Sequence, residues 1–157
     1  MQDMRPSADA GAAGPQGPSG LERLRRWLEE GADPSMGRTL DFALVAVEPD
    51  HVVFRGQPNE RFLNPMGGVH GGWAAAVLDS ALGCATVLSL GRGESFTTLE
   101  LKVNFTRAIA ADGPALTAVG TIVTRGRRVA LTEARLTDDD GKVYAHATST
   151  CLVLPVP

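Results

Sequence analysis

The stretch Trp73-Ala-Ala-Ala-Val-Leu-Asp-Ser-Ala-Leu-Gly-Cys-Ala-Thr-Val-Leu-Ser-Leu90 decides the fold of this 157-residue chain. It is apolar nearly all round, so a helix formed by it has to be covered on most sides. Its length lies at the short limit of about 17–25 residues for a membrane span, and Asp79, Ser80 and Gly83 lie near its middle. We therefore expect a buried helix over residues 72–90 of a soluble domain, without a membrane partner.

Segments on both sides of this helix alternate between apolar and polar residues, which is typical of strands. Two short strands are predicted before the helix, within residues 39–46 and 52–56. The four predicted strands after it cover residues 96–106, 115–125, 127–137 and 142–154. This order is not that of a doubly wound parallel sheet. It predicts an α+β fold in which one curved antiparallel β-sheet wraps a long central helix and a partner subunit closes the remainder.

Length and composition favour a single globular domain. Hydrophobic residues make up 43% of the chain and charged residues 21%, and the net charge of −3 argues against a nucleic-acid partner. Residues 1–20 are mostly Gly, Ala, Pro, Ser and Asp, so we expect a disordered tail there. Residues 21–157 then form the domain, with a short helix at 21–30 that Ser19 and Glu22 are spaced to cap.

The two cysteines, Cys84 and Cys151, both lie in apolar runs. Neither belongs to a Cys-x-x-Cys pair or stands at metal-ligand spacing from a histidine, so neither a disulfide framework nor a metal site is expected. A reducing compartment fits this usage. Residues 1–13 lack the basic start and apolar run of a secretory signal, and we expect a cytoplasmic protein.

Asp79 is the strongest anomaly in the chain. An ionised carboxylate in a dry interior costs several kcal/mol unless it is paired or hydrogen-bonded. No Lys or Arg lies within a turn or two of Asp79. Either the side chain faces solvent beside Ser80, or it is a partly desolvated carboxylate that acts as nucleophile or general base.

A second candidate feature is the predicted start of the helix, His70-Gly71-Gly72, with Asn64 six residues upstream in a loop. The first turn of a helix has free N–H groups and a partial positive charge. Glycines there let a ligand oxygen approach the backbone closely, as an oxyanion hole requires. The alternative is that His70 is a structural residue and the glycines only make a turn.

Together these motifs resemble one enzyme family. Asn64, His70-Gly71-Gly72 and an aspartate nine residues after the histidine are similar to the hotdog-fold acyl-CoA thioesterases of the phenylacetate-degradation (PaaI-like) type, in the 4-hydroxybenzoyl-CoA thioesterase superfamily. The strand Thr97-Thr98-Leu-Glu-Leu-Lys-Val-Asn-Phe105 and the hairpin at 140–145 resemble that family too, over residues 35–155 in all. One departure is Arg107-Ala108, where the family often has Arg-Pro. We expect it not to touch the site.

The resemblance implies hydrolysis of the thioester of an aryl- or medium-chain acyl-CoA to the free acid and CoA. In the roles it implies, the Gly71 N–H stabilises the oxyanion and Asp79 is nucleophile or general base. Asn64 and Thr98 hold the water or orient the carboxylate, and His70 supports the loop. No metal and no cofactor are needed, since CoA enters as part of the substrate. A homodimer is the minimal active unit, and a homotetramer is expected.

The roles implied for Gly71 and Asp79 can be checked against helix geometry. The nine residues from His70 to Asp79 correspond to about 13 Å of helical rise. Gly71 and Asp79 of one chain therefore cannot both touch one thioester carbon. If both are catalytic, the site combines the helix start of one subunit with the mid-helix aspartate of another. The family's dimer, with antiparallel central helices side by side, is similar to this requirement, and the resemblance implies Asn64, His70 and Gly71 from one chain with Asp79 and Thr98 from its partner.

Basic residues are expected to rim a site for the phosphates of CoA. Arg125, Arg127 and Arg128 cluster at one hairpin and are candidate contacts, although a turn also carries ordinary solvated charge. Large apolar residues of such a chain are often simple core, and some of them are candidates for the acyl pocket. The candidates for substrate contact near the helix start are Phe62, Met66, Gly72, Trp73 and Leu78.

Two other function classes are alternatives to a thioesterase. Hotdog-fold enoyl-CoA hydratases and dehydratases place an Asp five residues before the His, or an acid farther along the helix, whereas Pro65 stands five residues before His70. A non-catalytic acyl-CoA-binding regulator usually carries a DNA-binding domain, for which the tail and one short helix are too small. Thiol release from a saturated acyl-CoA distinguishes a thioesterase from both.

Overall fold

The computed structural model describes residues 17–31 and 35–156. Its helices are α1 (Gly20–Glu30), α2 (Ser35–Leu40) and α3 (Gly71–Leu88), with a 3-10 turn at Glu60–Phe62. Its strands are β1 (Phe42–Val47), β2 (His51–Gly56), β3 (Glu94–Phe105), β4 (Leu116–Arg125), β5 (Val129–Thr137) and β6 (Val143–Pro155). Residues 1–16 of the expected tail lie outside the described residues.

The six described strands form one antiparallel sheet in the order β1-β2-β4-β5-β6-β3. The predicted α+β fold, a long helix wrapped by a curved antiparallel sheet, is confirmed. β3 follows α3 in sequence but pairs with β6, which places it at one edge of the sheet. Among the described residues nothing pairs with the other edge of β3. An unpaired edge presents free N–H and C=O groups to a possible partner strand.

α3 packs against the concave side of the sheet. Leu78 and Leu82 are fully buried there, and so is Ala81. A Cβ on Gly120 of β4 would lie 2.4 Å from the Ala81 carbonyl oxygen, so only glycine allows this close approach. α3 is long and apolar enough for a membrane span by length and composition, but half of it is buried inside the fold, as in a core helix.

The first part of the chain differs from the prediction at two points. α1 begins at Gly20, one residue earlier than expected, with Ser19 as N-cap in a capping box with Glu22. The first strand begins at Phe42 rather than near residue 39, because Ser35–Leu40 forms the short helix α2. The alternation over residues 39–46 does not distinguish a single helical turn from the start of a strand.

Candidate active site

His70 is the N-cap of α3. Its Nδ1 accepts a hydrogen bond from the Gly72 N–H at 2.9 Å, and its backbone carbonyl accepts one from the Trp73 N–H at 2.9 Å. This is the ordinary capping geometry in which a side chain satisfies a free amide of the first turn. With Nδ1 occupied in this way, the imidazole is held as a cap. The structural interpretation of His70 describes this arrangement.

The Gly71 N–H points out of the first turn of α3. Within the described chain it has no acceptor, unlike the neighbouring amides of Gly72 and Trp73. A Cβ on Gly71 would lie 3.1 Å from the Phe105 ring, so this helix start lies tightly against the end of β3. A free amide at a helix N-terminus is the donor that an oxyanion requires.

Asn64 organises the loop that leads into this helix. Its Oδ1 accepts hydrogen bonds from the backbone N–H of Met66 at 2.8 Å and of Gly68 at 3.3 Å. Gly67, at φ +84°, closes the turn by donating to the Asn64 carbonyl. The Nδ2 group has no acceptor within the described residues. Asn64 therefore shapes the loop with its oxygen and keeps its amide donors available.

A depression of about 440 Å³ lies beside the helix start, and its lining changes one expectation. Arg107 and Ala108 line it together with Asn64 and Gly71, so the expectation that the Arg-Ala departure does not touch the site was wrong. The reason is non-local, since the Val69 N–H donates to the Ile109 carbonyl at 3.0 Å and folds the segment after β3 onto the loop. The Arg107 guanidinium lies 5.8 Å from the Tyr144 ring centroid.

Asp79 lies on the side of α3 that the sheet leaves uncovered, and it is exposed in the single chain. It has no hydrogen bond or ion pair within the described residues. Burial by its neighbours nevertheless raises the pKa of the Asp79 carboxyl above the ordinary value of 3.8. Asp79 is thus exposed to solvent, as the first interpretation of the sequence expects. Its carboxylate is also partly desolvated, as the second expects.

Cys84, five residues after Asp79, can be assessed as an alternative nucleophile. Burial, and after it the charge of Asp79, raise the pKa of the Cys84 thiol to about 12. A thiol becomes a good nucleophile through a lowered pKa. Cys84 therefore stays protonated near neutral pH, and Asp79 is the better candidate on this face of α3.

Thr98 and Asp79 occupy the same level of the molecule. α3 and β3 run in opposite directions, because a Cβ on Gly83 would meet the Phe96 ring at 3.4 Å while Gly71 adjoins Phe105. From that Phe96–Gly83 contact, Thr98 is about 7 Å along the strand. Asp79 is about 6 Å along the helix in the same direction.

The single chain therefore carries two separate groups of candidate residues. Asn64, His70 and Gly71 lie together at the start of α3. Asp79 lies on the uncovered middle of the helix, and Thr98 lies at the same level on β3. Because α3 is one continuous helix from Gly71 to Leu88, about 12 Å of rise separates Gly71 from Asp79.

Arg125, Arg127 and Arg128 lie at the opposite end of β3 from Gly71. Arg125 donates to both carboxylate oxygens of Glu94 at 3.1 Å, so it is engaged in a partly buried ion pair. Arg127 and Arg128 are exposed and, with Arg92, line a cavity of about 890 Å³. Glu94 and Phe105 end a twelve-residue strand, up to about 36 Å long. Within one chain, these arginines are far from the depression beside Gly71.

The candidate acyl-pocket residues are divided between core and surface. Trp73 and Leu78 are buried between helix and sheet, and the Trp73 ring stacks on Phe62 with a centroid distance of 6.2 Å. Trp73 and Leu78 are core residues in the single chain, and Phe62 is partly buried against that core. Met66 is 91% exposed, and Gly72 is exposed at the first turn.

Metal-ligating side chains are not grouped in the described part of the chain. It contains no cluster of three or more His, Cys, Asp or Glu residues that could hold a metal ion. The chemistry that these residues themselves offer consists of a carboxylate, a free helix-terminal amide and side-chain amide donors.

Comparison with known proteins identifies the family of the chain. Residues 66–145 match the family model of the thioesterase superfamily. A phenylacetic acid degradation-related protein from Ralstonia eutropha is 32% identical, with 82% of this chain and 98% of that one covered and a TM-score of 0.73. No curated protein matches the chain.

Two further solved structures share the fold. A variant of the phenylacetic acid degradation protein from Thermus thermophilus is 25% identical, covers 76% of this chain and 98% of its own, and has a TM-score of 0.68. A thioesterase from Haemophilus influenzae is 21% identical, with coverages of 82% and 91% and a TM-score of 0.75. The chain belongs to the thioesterase superfamily, with the hotdog fold of its phenylacetate-degradation type, and is a thioester hydrolase.

Proposed function

We propose that the protein hydrolyses aryl- or medium-chain acyl-CoA thioesters at sites shared between two subunits. Each site is formed by Asn64, His70 and Gly71 of one subunit and by Asp79 and Thr98 of its partner. The observation that carries this proposal is the separation of about 12 Å between Gly71 and Asp79 on one continuous helix. Each chain then holds two halves that only a second copy can complete.

The surface around Asp79 supports pairing with a second copy. Phe105 is 56% exposed and Leu101 37% exposed on the concave side of β3, so the chain's own helix covers neither side chain completely. Small residues, Ala75, Ala76 and Gly83, flank Asp79 along the uncovered face of α3. An apolar edge strand beside a smooth helix face is suited to extending the sheet across a two-fold axis.

The position of that axis follows from the site. If Asp79 faces the partner's Gly71, the axis passes midway between them, near Ala75. Gly71 is level with Phe105 and Gly83 with Phe96, so by proportion Ala75 is level with Lys102. We infer that the two β3 strands pair in antiparallel fashion about Lys102, with Thr98 beside the partner's loop after Phe105.

In the proposed reaction the Gly71 N–H donates to the thioester carbonyl oxygen and stabilises the negative charge that develops there. Asp79 either attacks the carbonyl carbon, forming an anhydride that water then opens, or removes a proton from an attacking water. In both routes the C–S bond breaks, water supplies the oxygen of the new carboxylate, and the CoA thiolate takes up a proton. The free amide donors of Asn64 and the hydroxyl of Thr98 hold the water or orient the carboxylate.

CoA phosphates have two candidate sets of contacts. Arg107 lies in the depression beside Gly71 with no ion-pair partner among the described residues. With the axis near Lys102, the Glu94 end of β3 extends past the partner's Phe105, which brings Arg127 and Arg128 toward the partner's depression. Arg125 is left out of this proposal because it is paired with Glu94.

Further association of dimers is proposed on the outer face of the sheet. Val119, Val123 and Val129 are exposed there, and this apolar surface favours the packing of two dimers into a homotetramer. Cytoplasmic location and the absence of a cofactor stay predictions. Light scattering of the purified protein measures the oligomer directly.

A thiol-release screen over aryl and alkyl CoA esters of graded length tests the function. We expect turnover on at least one class and none on water addition to an enoyl-CoA. Matched N-acetylcysteamine thioesters, which lack the CoA phosphates, are expected to be hydrolysed with a higher KM. Binding of acyl-CoA without any thiol release would support the non-catalytic module instead.

A further inference from the structure

Asp41, at the corner between α2 and β1, has an uncommon backbone conformation. Its φ of +54° is the only positive value at a non-glycine residue in the described chain. Aspartate tolerates this left-handed region better than most residues, yet a glycine would adopt it more readily. An aspartate here therefore has a backbone cost that a glycine would not have, and the contacts of its side chain have to offset that cost.

The Asp41 carboxylate is bound by the segment that precedes the Asn64 loop. Its Oδ2 accepts a hydrogen bond from Asn59 Nδ2 at 2.7 Å and a short one from the Arg61 guanidinium. The Arg61 hydrogen bond, with its charge and the Asn59 amide, holds the pKa of Asp41 below its ordinary value. The Asp41 carbonyl accepts from the Gln57 N–H at 3.0 Å, so both ends of the residue are engaged.

Asn59 and Phe62 connect the Asp41 carboxylate to the first turn of α3. Asn59 also caps the 3-10 turn, with Oδ1 accepting from the Arg61 N–H at 3.0 Å. That turn places Phe62, whose carbonyl accepts from the His70 N–H at 2.7 Å and whose ring stacks on Trp73. His70 precedes Gly71 and Trp73 follows it in the same turn. Phe62 contacts both of them and so fixes the backbone on either side of the proposed oxyanion donor.

A second contact closes the loop from the other side. Trp73 Nε1 donates to the carbonyl of Leu40, the residue before Asp41, at 2.7 Å. The corner Leu40–Asp41 is thus bound to the first turn of α3 through Trp73 and to the loop before it through Asn59 and Arg61. A shift at either contact changes the distance between the Asn64 loop and the Gly71 amide.

We propose that Asp41 is a positioning residue of the thioesterase, which sets the Gly71 amide and the Asn64 loop through Asn59, Arg61 and Phe62. The role rests on the proposed function of Gly71 and Asn64. Asp41 itself touches no reacting atom. Displacement of a catalytic group by about 1 Å from a distant substitution can lower a rate by about a hundredfold.

The test separates the side chain of Asp41 from its backbone conformation. Asp41→Gly keeps the left-handed conformation and removes the carboxylate, and Asp41→Asn keeps the acceptor for Asn59 but not the charge toward Arg61. The control is Asp139→Ala, which removes the partner of Arg55 in a two-bond ion pair at the β5–β6 turn and leaves the contacts of Asp41 with Asn59 and Arg61 in place. Thiol release gives kcat and KM for all four proteins.

Asp41→Gly is expected to lower kcat about ten- to a hundredfold with KM changed less than about threefold. Asp41→Asn is expected to restore part of the kcat, and Asp139→Ala to keep the wild-type values. Full kcat in Asp41→Gly, or an equal loss in Asp139→Ala, would overturn the proposal. Thermal melting identifies a variant that fails to fold, and Asp41→Asn then carries the comparison.

A readout without turnover keeps this proposal separate from the proposed function. Trp27 and Trp73 are the only tryptophans, so a Trp27→Phe background leaves Trp73 as the single indole. We expect acrylamide to quench Trp73 more strongly in Asp41→Gly than in the background protein. If the wild type released no thiol, the proposed function would fail, while unchanged quenching would by itself overturn the positioning role.

Discussion

The two ends of α3 are treated differently by the rest of the chain. At its end, Gly20 of α1 lies so close to Val87 that a Cβ would meet the carbonyl oxygen at 1.6 Å, and the Gly20 N–H donates to Leu90 at 3.0 Å. At its start, the Gly71 amide has no acceptor in the described chain, and a depression of about 440 Å³ lies beside it. Under the proposed function, glycine allows close packing at one end and ligand access at the other.

The uncovered middle of α3 shows the same contrast. Leu78 is fully buried against the sheet, while the next residue, Asp79, faces away from it without a partner. Covering Asp79 with a second subunit increases its desolvation, which a structural aspartate would avoid. The proposed shared site accounts for both the open end and the open face of this one helix.

Replacement of the carboxylate has the largest expected effect. Asp79→Asn is expected to lower thiol release by about 10²–10⁴-fold, because neither a nucleophile nor a general base remains. The melting temperature at pH 7 should be unchanged or higher. The raised pKa of Asp79 means that its ionised form costs stability as pH rises through that pKa, and asparagine has no such form.

Ser80→Ala is the neighbouring control for this substitution, since its hydroxyl only donates to the Ala76 carbonyl. Its turnover should stay close to that of the wild type. Near-wild-type turnover in Asp79→Asn would remove the central role of the carboxylate. The assay is thiol release on the best ester of the screen.

Alanine substitutions at Gly71 and Gly20 test the difference between the two helix ends directly. Gly71→Ala places a methyl group 3.1 Å from the Phe105 ring, beside the free amide, and should lower kcat/KM about tenfold or more with little change in melting temperature. Gly20→Ala forces α1 away from Val87 and should lower the melting temperature instead. Kinetics and thermal unfolding of both variants check this, and the reverse pattern would contradict the assignment of the two ends.

The pH dependence sharpens the role assigned to Asp79. The carboxylate is the active form, so kcat/KM should fall as pH falls through the pKa of Asp79. Because burial raises that pKa, the acid limb should lie above 3.8, the ordinary value for aspartate. A pH profile of kcat/KM measures it, and Asp79→Asn should lack the limb. A wild-type limb at or below 3.8 would contradict a desolvated carboxylate.

The smallest expected effect on activity comes from a cross-link at the proposed axis. Lys102→Cys should form a disulfide between subunits under mild oxidation, because paired residues of antiparallel strands have Cα atoms about 4.5–5.5 Å apart. Turnover should change little, since the cross-link holds the native pairing. Lys142→Cys, in the β5–β6 turn, is the control and should stay monomeric on a denaturing gel. Equal cross-linking of both would argue against this register.

The helix, the sheet and the two groups of site residues could be predicted because they depend on local patterns. The apolar run that contains Asp79 and the His70-Gly71-Gly72 turn are readable without knowing which segments meet. Contacts between distant segments could not be predicted. The pairing of Arg125 with Glu94 joins residues 31 positions apart, and it engages a side chain that the sequence offered as a substrate contact.

The other differences have the same physical origin. Arg107 reaches the depression beside Gly71 because the Val69 N–H donates to the Ile109 carbonyl. This backbone hydrogen bond does not depend on the identity of either side chain, so the sequence does not predict it. Trp73 and Leu78 are large apolar residues, which are found both in ligand pockets and in cores, so residue type alone does not distinguish the two. For Trp73 the burial depends on a distant contact, since a Cβ on Gly56 of β2 would lie 2.9 Å from its ring.

Subunit complementation tests the shared site most directly. Asp79→Ala and Asn64→Ala chains are each expected to be inactive alone, because every site in either homodimer lacks one half. After verified subunit exchange, a hybrid dimer contains one site with both residues intact, so mixing should restore thiol release to about half of the wild-type rate per hybrid dimer. No recovery in hybrids that are shown to have formed would contradict a site built from two chains.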